Sequence, residues 1–539
     1  MGKATGFLEY ERREDTWIRE EKRIRNFSEF HVHLDEGERR CQAARCMDCG
    51  VPMCQSAIKL KGMVTGCPLH NMIPEWNDEI YKGHYEHALS RLLKTSSFPE
   101  FTGRVCPALC EKACMCGQYE DSVTVHDNEY FLIEEAFAKG YIKPKKIAVR
   151  SGKKVAVVGS GPSGLAVADE LNHRGHSVTV FERDDQIGGL LMYGIPNMKL
   201  DKSVIMRRQK LMEEEGVVFR TGIDVGKDIQ ASELLKEYDA IVLACGAKQA
   251  RTLSGGDPEK IKGIYYAVDF LKATTKALLD RGGRADRIST EEFMKGGDFI
   301  SARDKHVVVV GGGDTGNDCI GTVIRHGCRS VTALEMMPMP PVDRTAANPW
   351  PEWPKVLKTD YGHEEAIGIF GHDPRIYETT VKEYITDKKG SLKNIIISGV
   401  RFNGHKMELI EGSEKELPCD MLLIAAGFTG CEIGNKYPSD PTELKRQLDL
   451  RGLRIASRWF SSFILTQPME QVEADFVREL DFLTAVGANR INVSEQSYGI
   501  QGKLDTPILG DAKHIMNDEE WDRFCKGLNH LGAIAKARG

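Results

Sequence analysis

A glycine-rich turn follows a short apolar run at two places in this chain, and this feature constrains the fold more than any other. The first run, Lys154–Gly159, reads Lys-Val-Ala-Val-Val-Gly, and the second, His306–Gly311, reads His-Val-Val-Val-Val-Gly. Short uninterrupted apolar runs are typical of strands that a parallel sheet buries on both faces. Two strand–glycine–helix units in one chain predict two nested, doubly wound α/β domains that bind nucleotides.

The first turn has every part of a dinucleotide-binding fingerprint. It reads Gly159-Ser-Gly161-Pro-Ser-Gly164 and opens an apolar helix, and the next strand, Ser177–Phe181, ends in Glu182. The glycines let the backbone approach a pyrophosphate closely, and the helix N-terminus favours its charge. An acidic residue about 20 residues further on binds the ribose hydroxyls. The later Gly188-Gly189 pair resembles the segment that follows this turn in flavin disulfide-reductase-like enzymes.

The second turn, Gly311-Gly-Gly313-Asp-Thr-Gly316, is followed by a strand that ends at Glu335. A carboxylate there would bind a free 2′-hydroxyl and repel a 2′-phosphate, which favours NADH over NADPH. Two alternatives remain open. Glu335 is a solvated strand end, or Arg344 moves in to hold a phosphate.

The cysteines are concentrated near the N-terminus. Nine of the 15 lie between Cys41 and Cys116, in the patterns Cys46-x-x-Cys49-x4-Cys54, Cys67-Pro and Cys106-Pro-x-x-Cys110-x-x-x-Cys114. In a reducing cytoplasm such a cluster binds metal more often than it forms disulfides. Closely spaced thiolates with a Cys-Pro step are typical of iron–sulfur cubanes, and structural zinc is the competing interpretation. Seven candidate thiols are one short of two all-cysteine clusters, and Cys41 and Cys116 are the expected spares.

Composition and charge exclude several classes of function. Lys plus Arg number 73 and Asp plus Glu 79, so the formal net charge of −6 favours neither nucleic acid nor an anionic membrane as a partner. No apolar run approaches the ~18 residues that a membrane helix needs, and the charged N-terminus has no secretory h-region. We therefore expect a soluble, cytoplasmic protein whose charged residues 1–30 form a solvated helix or arm.

A cysteine-rich helical domain followed by two such fingerprints resembles the small (beta) subunit family of glutamate synthase over about residues 1–427. The stretches Asn348-Pro-Trp-Pro-Glu-Trp-Pro354 and Asp360-Tyr-Gly362 are similar to the NADH-type branch. The resemblance implies FAD at the first turn, NADH or NADPH at the second, and two 4Fe–4S clusters. It also implies electron transfer from NAD(P)H through FAD and the clusters to a large (alpha) subunit that makes glutamate from glutamine and 2-oxoglutarate.

The resemblance implies a ligand set for each cluster. The first cluster would be held by Cys46, Cys49, Cys54 and Cys114. The second would be held by Cys67, Cys106 and Cys110, with Glu129 as the candidate fourth ligand; a plain surface role for Glu129 is the alternative. Cofactor binding is expected from Gly159, Gly161, Gly164, Glu182, Gly189, Gly311, Gly313, Gly316 and Glu335. Hydride transfer needs no side-chain acid or base, so no catalytic residue is predicted.

The resemblance to the small subunit ends early, because the Gly-Asp strand and helix that close the FAD domain in that family are missing after Met421–Ala426. The Gly510-Asp511 pair is a weak substitute. Residues from about 426 to 539 instead resemble the early part of inosose dehydratase, a TIM barrel, through Cys431–Tyr437, Leu450–Ser457 and Asn492–Gln496. About three of eight strands would be present, so we expect no dehydratase activity and an inert Glu495.

These inferences divide the chain as follows. Residues 1–145 form the helical iron–sulfur domain, 146–255 with 400–427 the FAD domain, 256–399 the NAD(P)H domain, and 428–539 the partial barrel. The alternatives to a working small subunit are an impaired chimera that keeps its iron but binds FAD weakly, and an NAD(P)H oxidoreductase that serves another acceptor such as ferredoxin.

Overall fold

The computed structural model describes residues 2–282, 288–403, 406–428, 430–433, 440–449, 454–499, 514 and 516–538. The chain divides into two compact units. The first contains residues 1–246, 253–401 and 409–425, and the second contains residues 247–252, 402–408 and 426–539. Among the described residues, no helix combines the length and the apolar character that a membrane span requires.

The first unit begins with a helical region that contains two small antiparallel hairpins. Its helices are α1 (Gly6–Glu9), α2 (Glu20–Arg23), α3 (Glu36–Ala44), α4 (Ile73–Lys82), α5 (Tyr85–Leu92), α6 (Pro99–Val105), α7 (Leu109–Lys112) and α8 (Val125–Ala138). Its strands are β1 (Thr16–Trp17), β2 (His31–Val32), β3 (Ile58–Leu60) and β4 (Met63–Thr65). The apolar faces of α4, α5 and α8 form the core, where Trp76, Ile80, Leu92 and Leu132 are all fully buried.

The N-terminal segment is not the solvated arm that its charge predicts. Arg23 is buried, and its Nε lies 2.8 Å from Oε1 of the buried Glu365. Phe27 and Phe30 are also buried, in a cluster with Tyr361 and residues of the helix Ala267–Asp280. The prediction was wrong because charge density does not indicate whether a charge has a buried partner elsewhere in the chain.

The first nucleotide-type sheet is four-stranded and parallel, in the order β7-β6-β5-β8. Its strands are β5 (Lys154–Val158), β6 (Ser177–Phe181), β7 (Val218–Arg220) and β8 (Ala240–Leu243), and its helices are α9 (Pro162–His173), α10 (Leu190–Tyr193), α11 (Lys202–Glu214) and α12 (Ala231–Glu237). The middle strand β5 is buried because its apolar run pairs on both sides, with β6 and with β8. Strand β8 is an edge, and the side chain of Leu243 is 73% exposed.

The second nucleotide-type sheet is five-stranded and parallel, in the order β12-β11-β10-β17-β9. Its strands are β9 (Ile264–Tyr266), β10 (His306–Val310), β11 (Ser330–Leu334), β12 (Arg375–Ile376) and β17 (Met421–Ile424), and its helices are α13 (Ala267–Asp280), α14 (Thr290–Phe293), α15 (Asp314–Arg325) and α16 (Tyr361–Phe370). Between β12 and β17 the chain forms a four-stranded sheet of β13 (Thr379–Thr386), β14 (Leu392–Asn403), β15 (Lys406–Leu409) and β16 (Lys415–Pro418).

Strand β17 corrects our expectation that residues 400–427 return to the FAD domain. Val307–Val310 of β10 pairs with Met421–Ile424 in parallel, and β17 pairs on its other side with β9. The apolar run Met421–Ile424 was recognised as a buried strand, but such a run fits the middle of any parallel sheet. The glycine turn between β10 and α15 packs against the residue that follows β17, since a Cβ on Gly311 would lie 2.5 Å from the Ala425 carbonyl oxygen.

The second unit contains a parallel sheet in the order β18-β19-β20. Its elements are β18 (Gly430–Ile433), α17 (Pro441–Asp449), β19 (Arg454–Ser462), α18 (Met469–Ala485), β20 (Ile491–Glu495) and α19 (Asp518–Ala537). Helix α19 begins at a capping box, in which Asn517 and Glu520 satisfy each other's backbone N–H. Gly510-Asp511 lies outside the described residues, and so do residues 434–437 and 450–453 of the barrel-like stretches.

Candidate cofactor-binding sites

The first glycine turn is closely packed at its two ends. Gly159 has φ +103°, and a Cβ there would lie 2.3 Å from the Ala244 carbonyl oxygen. A Cβ on Gly164 would lie 1.9 Å from the carbonyl oxygen of Gly159. Only glycine fits either position, because the turn lies against the residue that follows β8 at one end and the start of α9 lies against the end of β5 at the other.

The middle glycine of this turn faces open space instead. Gly161 has φ −63° and ψ 175°, and a Cβ built on it would have no heavy atom within 4 Å. It is the N-cap of the twelve-residue helix α9, which begins without a side-chain cap. The first N–H groups of such a helix attract an anion, so the structure leaves room for a phosphate where the fingerprint expects one.

Glu182 lies at this turn and is buried. Its Oε2 accepts hydrogen bonds from the backbone N–H (3.0 Å) and the Oγ (2.6 Å) of Ser160, and its Oε1 accepts one from the N–H of Asp184 (2.9 Å). The N–H of Gly188 lies 3.0 Å from the Ser160 carbonyl oxygen, and a Cβ on Gly189 would lie 3.0 Å from the Cα of Gly161. The predicted residues of the first turn are therefore brought together, with Ser160 as a connecting residue that sequence reasoning did not single out.

The second turn repeats this arrangement. Gly311 has φ +124°, and a Cβ on Gly316 would lie 2.1 Å from the Gly311 carbonyl oxygen. Gly313 has φ −82° and ψ −175° at the start of α15, and a Cβ there would meet no heavy atom within 4 Å. The open position is again the middle glycine, at an uncapped helix N-terminus.

Glu335 lies directly against this second turn. Its Oε2 is only 2.0 Å from where a Cβ on Gly312 would lie, and its Oε1 accepts a hydrogen bond from the N–H of Met337 at 3.0 Å. Arg344, the alternative phosphate-binding residue, donates to the Glu352 carbonyl oxygen at 2.8 Å in its own loop. The half-buried carboxylate of Glu335 therefore lies at the turn, whereas the guanidinium of Arg344 is hydrogen-bonded within its own loop.

The predicted cluster ligands Cys46, Cys49, Cys54 and Cys114, here called the four-thiol group, lie close enough to act on one another electrostatically. Burial raises the pKa of Cys54, and the charges of the other three thiols raise it further. Burial likewise raises the pKa of Cys46 to about 12, with Cys114 and Cys49 adding to the effect. Such buried thiols become stable thiolates only when a cation is bound among them.

The remaining predicted ligands, Cys67, Cys106, Cys110 and Glu129, form what we call the three-thiol group. Burial raises the pKa of Cys106 to about 11, and the charges of Glu129 and Cys67 contribute in the same direction. Burial also raises the pKa of the Glu129 carboxyl, which accepts a hydrogen bond from the hydroxyl of Thr102. Glu129 is half-buried, and its role as a cluster ligand stays a prediction. The two groups are neighbours, since the N–H of Cys67 donates to the Cys54 carbonyl oxygen.

Three further residues at these sites were missed by sequence reasoning. Cys116, an expected spare, is buried beside Cys114, and a hydrogen bond between them lowers the pKa of Cys114. Thr102 holds Glu129, as described. Lys202 is fully buried and donates to the carbonyl oxygens of Leu191 (2.8 Å) and Ile195 (2.7 Å), so it fixes the segment after Gly189. Only Cys116 had a signal in the sequence, its Cys-x-Cys spacing.

The hairpin β3–β4, which connects Cys54 to Cys67, also contacts the second nucleotide domain. Lys61 donates to the Ala347 carbonyl oxygen at 3.0 Å and forms an ion pair with Glu352 at 2.8 Å. The hydroxyl of Thr65 donates to the Pro351 carbonyl oxygen. The chain between two candidate ligands is therefore attached to the Trp-Pro loop that follows Arg344.

The residues present fit both kinds of cofactor. Each turn leaves an open glycine at a helix N-terminus, as a dinucleotide pyrophosphate requires. Seven buried or half-buried thiols and a carboxylate, in two sets whose members influence one another's pKa, have the soft-ligand chemistry that iron–sulfur clusters need. Zinc would use such thiols as well.

Comparison with known proteins identifies two matching families. Residues 23–141 match the family described as dihydropyrimidine dehydrogenase domain II, 4Fe-4S cluster. Residues 123–237 and 153–349 match pyridine nucleotide-disulphide oxidoreductase. This supports an N-terminal 4Fe–4S domain followed by nucleotide-binding domains.

Similar proteins share most of the chain. The glutamate synthase (NADPH) small chain of Bacillus subtilis is 45% identical over 439 residues, which are 80% of this chain and 86% of that one. The corresponding small chain of Mycobacterium tuberculosis H37Rv is 41% identical and covers 80% and 84%. The glutamate synthase (NADH) of Schizosaccharomyces pombe is 45% identical over 80% of this chain, which spans a fifth of the length of that protein. None of these matches supports the inosose dehydratase resemblance expected for residues 426–539.

Proposed function

This chain belongs to the family of glutamate synthase small chains, and we propose on that basis that it oxidises NAD(P)H and delivers the electrons to a glutamate synthase large subunit. The observation that carries the proposal is the 45% identity to a small chain over 86% of that relative's length. The large subunit would use the electrons to make L-glutamate from L-glutamine and 2-oxoglutarate.

In this function the cofactors supply the redox chemistry: a hydride passes from NAD(P)H to FAD, and single electrons continue through iron–sulfur clusters. The chain's own residues bind and orient. Gly161 leaves room for the FAD pyrophosphate at the start of α9, and Gly313 does the same for NAD(P)H at the start of α15. Lys202 holds the loop after Gly189 in place. No side chain needs to act as an acid or a base.

We further propose that the chain holds two 4Fe–4S clusters, one in the four-thiol group and one in the three-thiol group with Glu129. The separation of the thiols into two electrostatically coupled sets supports this count. The hydrogen bond between Cys67 and Cys54 supports close spacing of the two clusters.

The preferred reductant is proposed to be NADH. Glu335 lies against Gly312 with its Oε2 at the turn, where a 2′-phosphate of NADPH would meet its negative charge. The relatives' names include both nucleotides, so this preference rests on Glu335 alone.

The second unit is proposed to be the beginning of a parallel (β/α) barrel without its own catalysis. Its strands β18, β19 and β20 lie side by side in chain order, with helices between them. Glu495 accepts hydrogen bonds from the N–H of Ile464 and the hydroxyl of Ser462, which gives it a structural role. We expect no metal-dependent dehydration of inosose by the full chain; measurable turnover would contradict this assignment.

The proposed function is tested by the optical spectrum of the anaerobically purified chain. NADH should bleach the flavin band, and readmitted air should restore it. Cys54→Ser should remove about half of the bound iron, and Cys110→Ser the other half, because each substitution affects one thiol group. Cys328→Ser, a thiol outside both groups, is the control.

The iron and flavin contents also separate the alternatives. A protein with its full iron content but little FAD would be the impaired chimera. That result would also indicate that the FAD domain is incomplete at the exposed edge strand β8. Co-purification with a large amidotransferase subunit supports the glutamate synthase assignment. Electron delivery to ferredoxin in the absence of such a subunit would overturn it.

A further inference from the structure

Two helices of the iron–sulfur domain meet at a tight corner that brings three possible metal ligands together. Helix α4 ends at Gly83, whose φ of +80° turns the chain directly into α5. The N–H of His84 donates to the Glu79 carbonyl oxygen at 2.8 Å, which fixes the corner. Glu79 on α4 and His84 and His87 at the start of α5 consequently lie on the same side.

The ligand atoms have the separations that a bound transition metal needs. The Nδ1 of His84 lies 3.0 Å from Oε2 of Glu79, and the Nδ1 of His87 lies 3.8 Å from the same oxygen. The three ligand atoms all lie within 4.8 Å of one another. In a tetrahedral zinc site with bonds of about 2.0–2.1 Å, ligand atoms are roughly 3.3 Å apart. The two measured distances lie on either side of that value, so small side-chain rotations suffice.

We propose that Glu79, His84 and His87 form a binding site for a divalent transition metal, with zinc as the physiological candidate. Two imidazoles and one carboxylate favour zinc over magnesium or calcium, which prefer all-oxygen sites. The side chain of Glu79 is 16% exposed and those of the histidines 58% and 71%, so the ion has an entry path and a water can complete its coordination. The site uses none of the thiols of the two cysteine groups.

Two neighbouring arginines, Arg40 and Arg91, have partners outside the proposed metal site. Arg40 lies on the side of Gly83, with its Cζ 3.5 Å from the position of a Cβ there, and it donates to the Tyr81 carbonyl oxygen. Arg91 forms an ion pair with Glu75 at 3.3 Å. Neither cation lies between Glu79 and the two rings.

The test is zinc binding by the cluster-loaded protein, measured by titration calorimetry against ZnCl2 and by elemental analysis of zinc and iron in the same gel-filtered sample. The wild-type protein should bind one zinc per chain that His84→Ala and His87→Ala each weaken by about tenfold or more. His372→Ala removes an exposed histidine outside the proposed site, whose Nδ1 lies 3.0 Å from the Phe370 carbonyl oxygen, and this variant should bind zinc as the wild type does. Glu79→Gln keeps the side-chain shape and should weaken binding as well.

Three outcomes would overturn the proposal. The first is a wild-type protein that binds no zinc while its iron is intact. The second is zinc that appears only in proportion to lost iron, which would place it on the free thiols. The third is equal affinity in the wild type and in both histidine variants. Because iron is measured in every sample, a histidine variant that fails to fold is recognised by its lost iron. In that case the zinc affinity of Glu79→Gln decides whether the proposal stands.

Discussion

In the first turn, Gly161 has free space around it whereas Gly164 is tightly packed, and this difference gives a specific prediction. Gly161→Ala should leave the protein folded and weaken FAD binding, whereas Gly164→Ala should destabilise the fold itself. At Gly161 the backbone has φ −63° and the new Cβ meets no heavy atom within 4 Å, so alanine is compatible with the native chain. At Gly164 the new Cβ would lie 1.9 Å from the Gly159 carbonyl oxygen.

The magnitudes follow from these distances. A glycine-to-alanine change at a compatible position raises the free energy of unfolding by about 0.4–1 kcal/mol, so apo-protein with Gly161→Ala should be as stable as the wild type or slightly more so. A carbon–oxygen contact is comfortable at about 3.3 Å, so Gly164→Ala requires a backbone shift of more than about 1 Å, at a cost of about 3 kcal/mol. If the methyl group at 161 displaces one charge-assisted hydrogen bond to a phosphate, FAD affinity falls by about 1.5–3 kcal/mol, or roughly 10–100-fold.

The assay combines urea unfolding of the apo-protein with flavin titration of the refolded protein. The second turn supplies a matched pair: Gly313→Ala should keep FAD but lose rapid bleaching by NADH, and Gly316→Ala should destabilise the protein. Unchanged FAD affinity in Gly161→Ala, together with unchanged stability in Gly164→Ala, would refute the assignment of the open glycine to the pyrophosphate.

The remaining predictions concern three carboxylates and a histidine. Glu335→Ala should raise the ratio of flavin reduction rates with NADPH and NADH by about tenfold, because it removes the charge that opposes a 2′-phosphate. The hydrogen bond with Glu215 raises the pKa of His173. The pair therefore stabilises the fold fully below about pH 6.5, and this contribution is lost as the pH rises through the raised pKa. We expect His173→Gln to lower the urea midpoint more at pH 6 than at pH 9. Glu365→Gln should cost about 3–5 kcal/mol in urea unfolding, since it leaves the buried Arg325 unpaired.

Each of these has a measurement that would contradict it. An unchanged nucleotide preference in Glu335→Ala would return that residue to a solvated strand end. A midpoint difference for His173→Gln that does not depend on pH would exclude the charge on the ring as its cause. Glu364, which is 39% exposed, is the control for Glu365, and Glu364→Gln should cost less than about 1 kcal/mol.

The sequence was sufficient for the parts of the fold that local patterns determine. The runs at β5 and β10, the glycine turns and the helices that follow them were all found, because glycine requirements and apolar periodicity are local. The prediction that β17 belongs to the FAD domain was wrong, because an apolar run indicates a buried strand but not the sheet to which it belongs. The antiparallel sheet of β13 to β16 was not predicted either, because its apolar residues lie within a stretch that is otherwise charged.

The candidate sites show the same division. The spacing alone predicted that the cysteines bind metal, but it did not assign each cysteine to a cluster. That assignment came from the family resemblance. The mutual effects of these residues on their pKa values follow the same two groups. Strands β3 and β4 bring Cys67 of the second group beside Cys54 of the first. The buried contacts of Arg23 depend on Tyr361 and Glu365, which lie far away in the chain, and no local pattern contains that information.

The attachment of the β3–β4 hairpin to the Trp-Pro loop has a consequence for damage. A ligand lost on either side of the hairpin would loosen Lys61 and Thr65 as well, and with them the anchors of the loop beside Arg344. If Cys54 and Cys67 hold clusters as proposed, damage at either residue would be expected to reach the nucleotide domain through these contacts. The hairpin thus joins the cysteine-rich domain to the nucleotide domain at a point between two of the proposed cluster ligands.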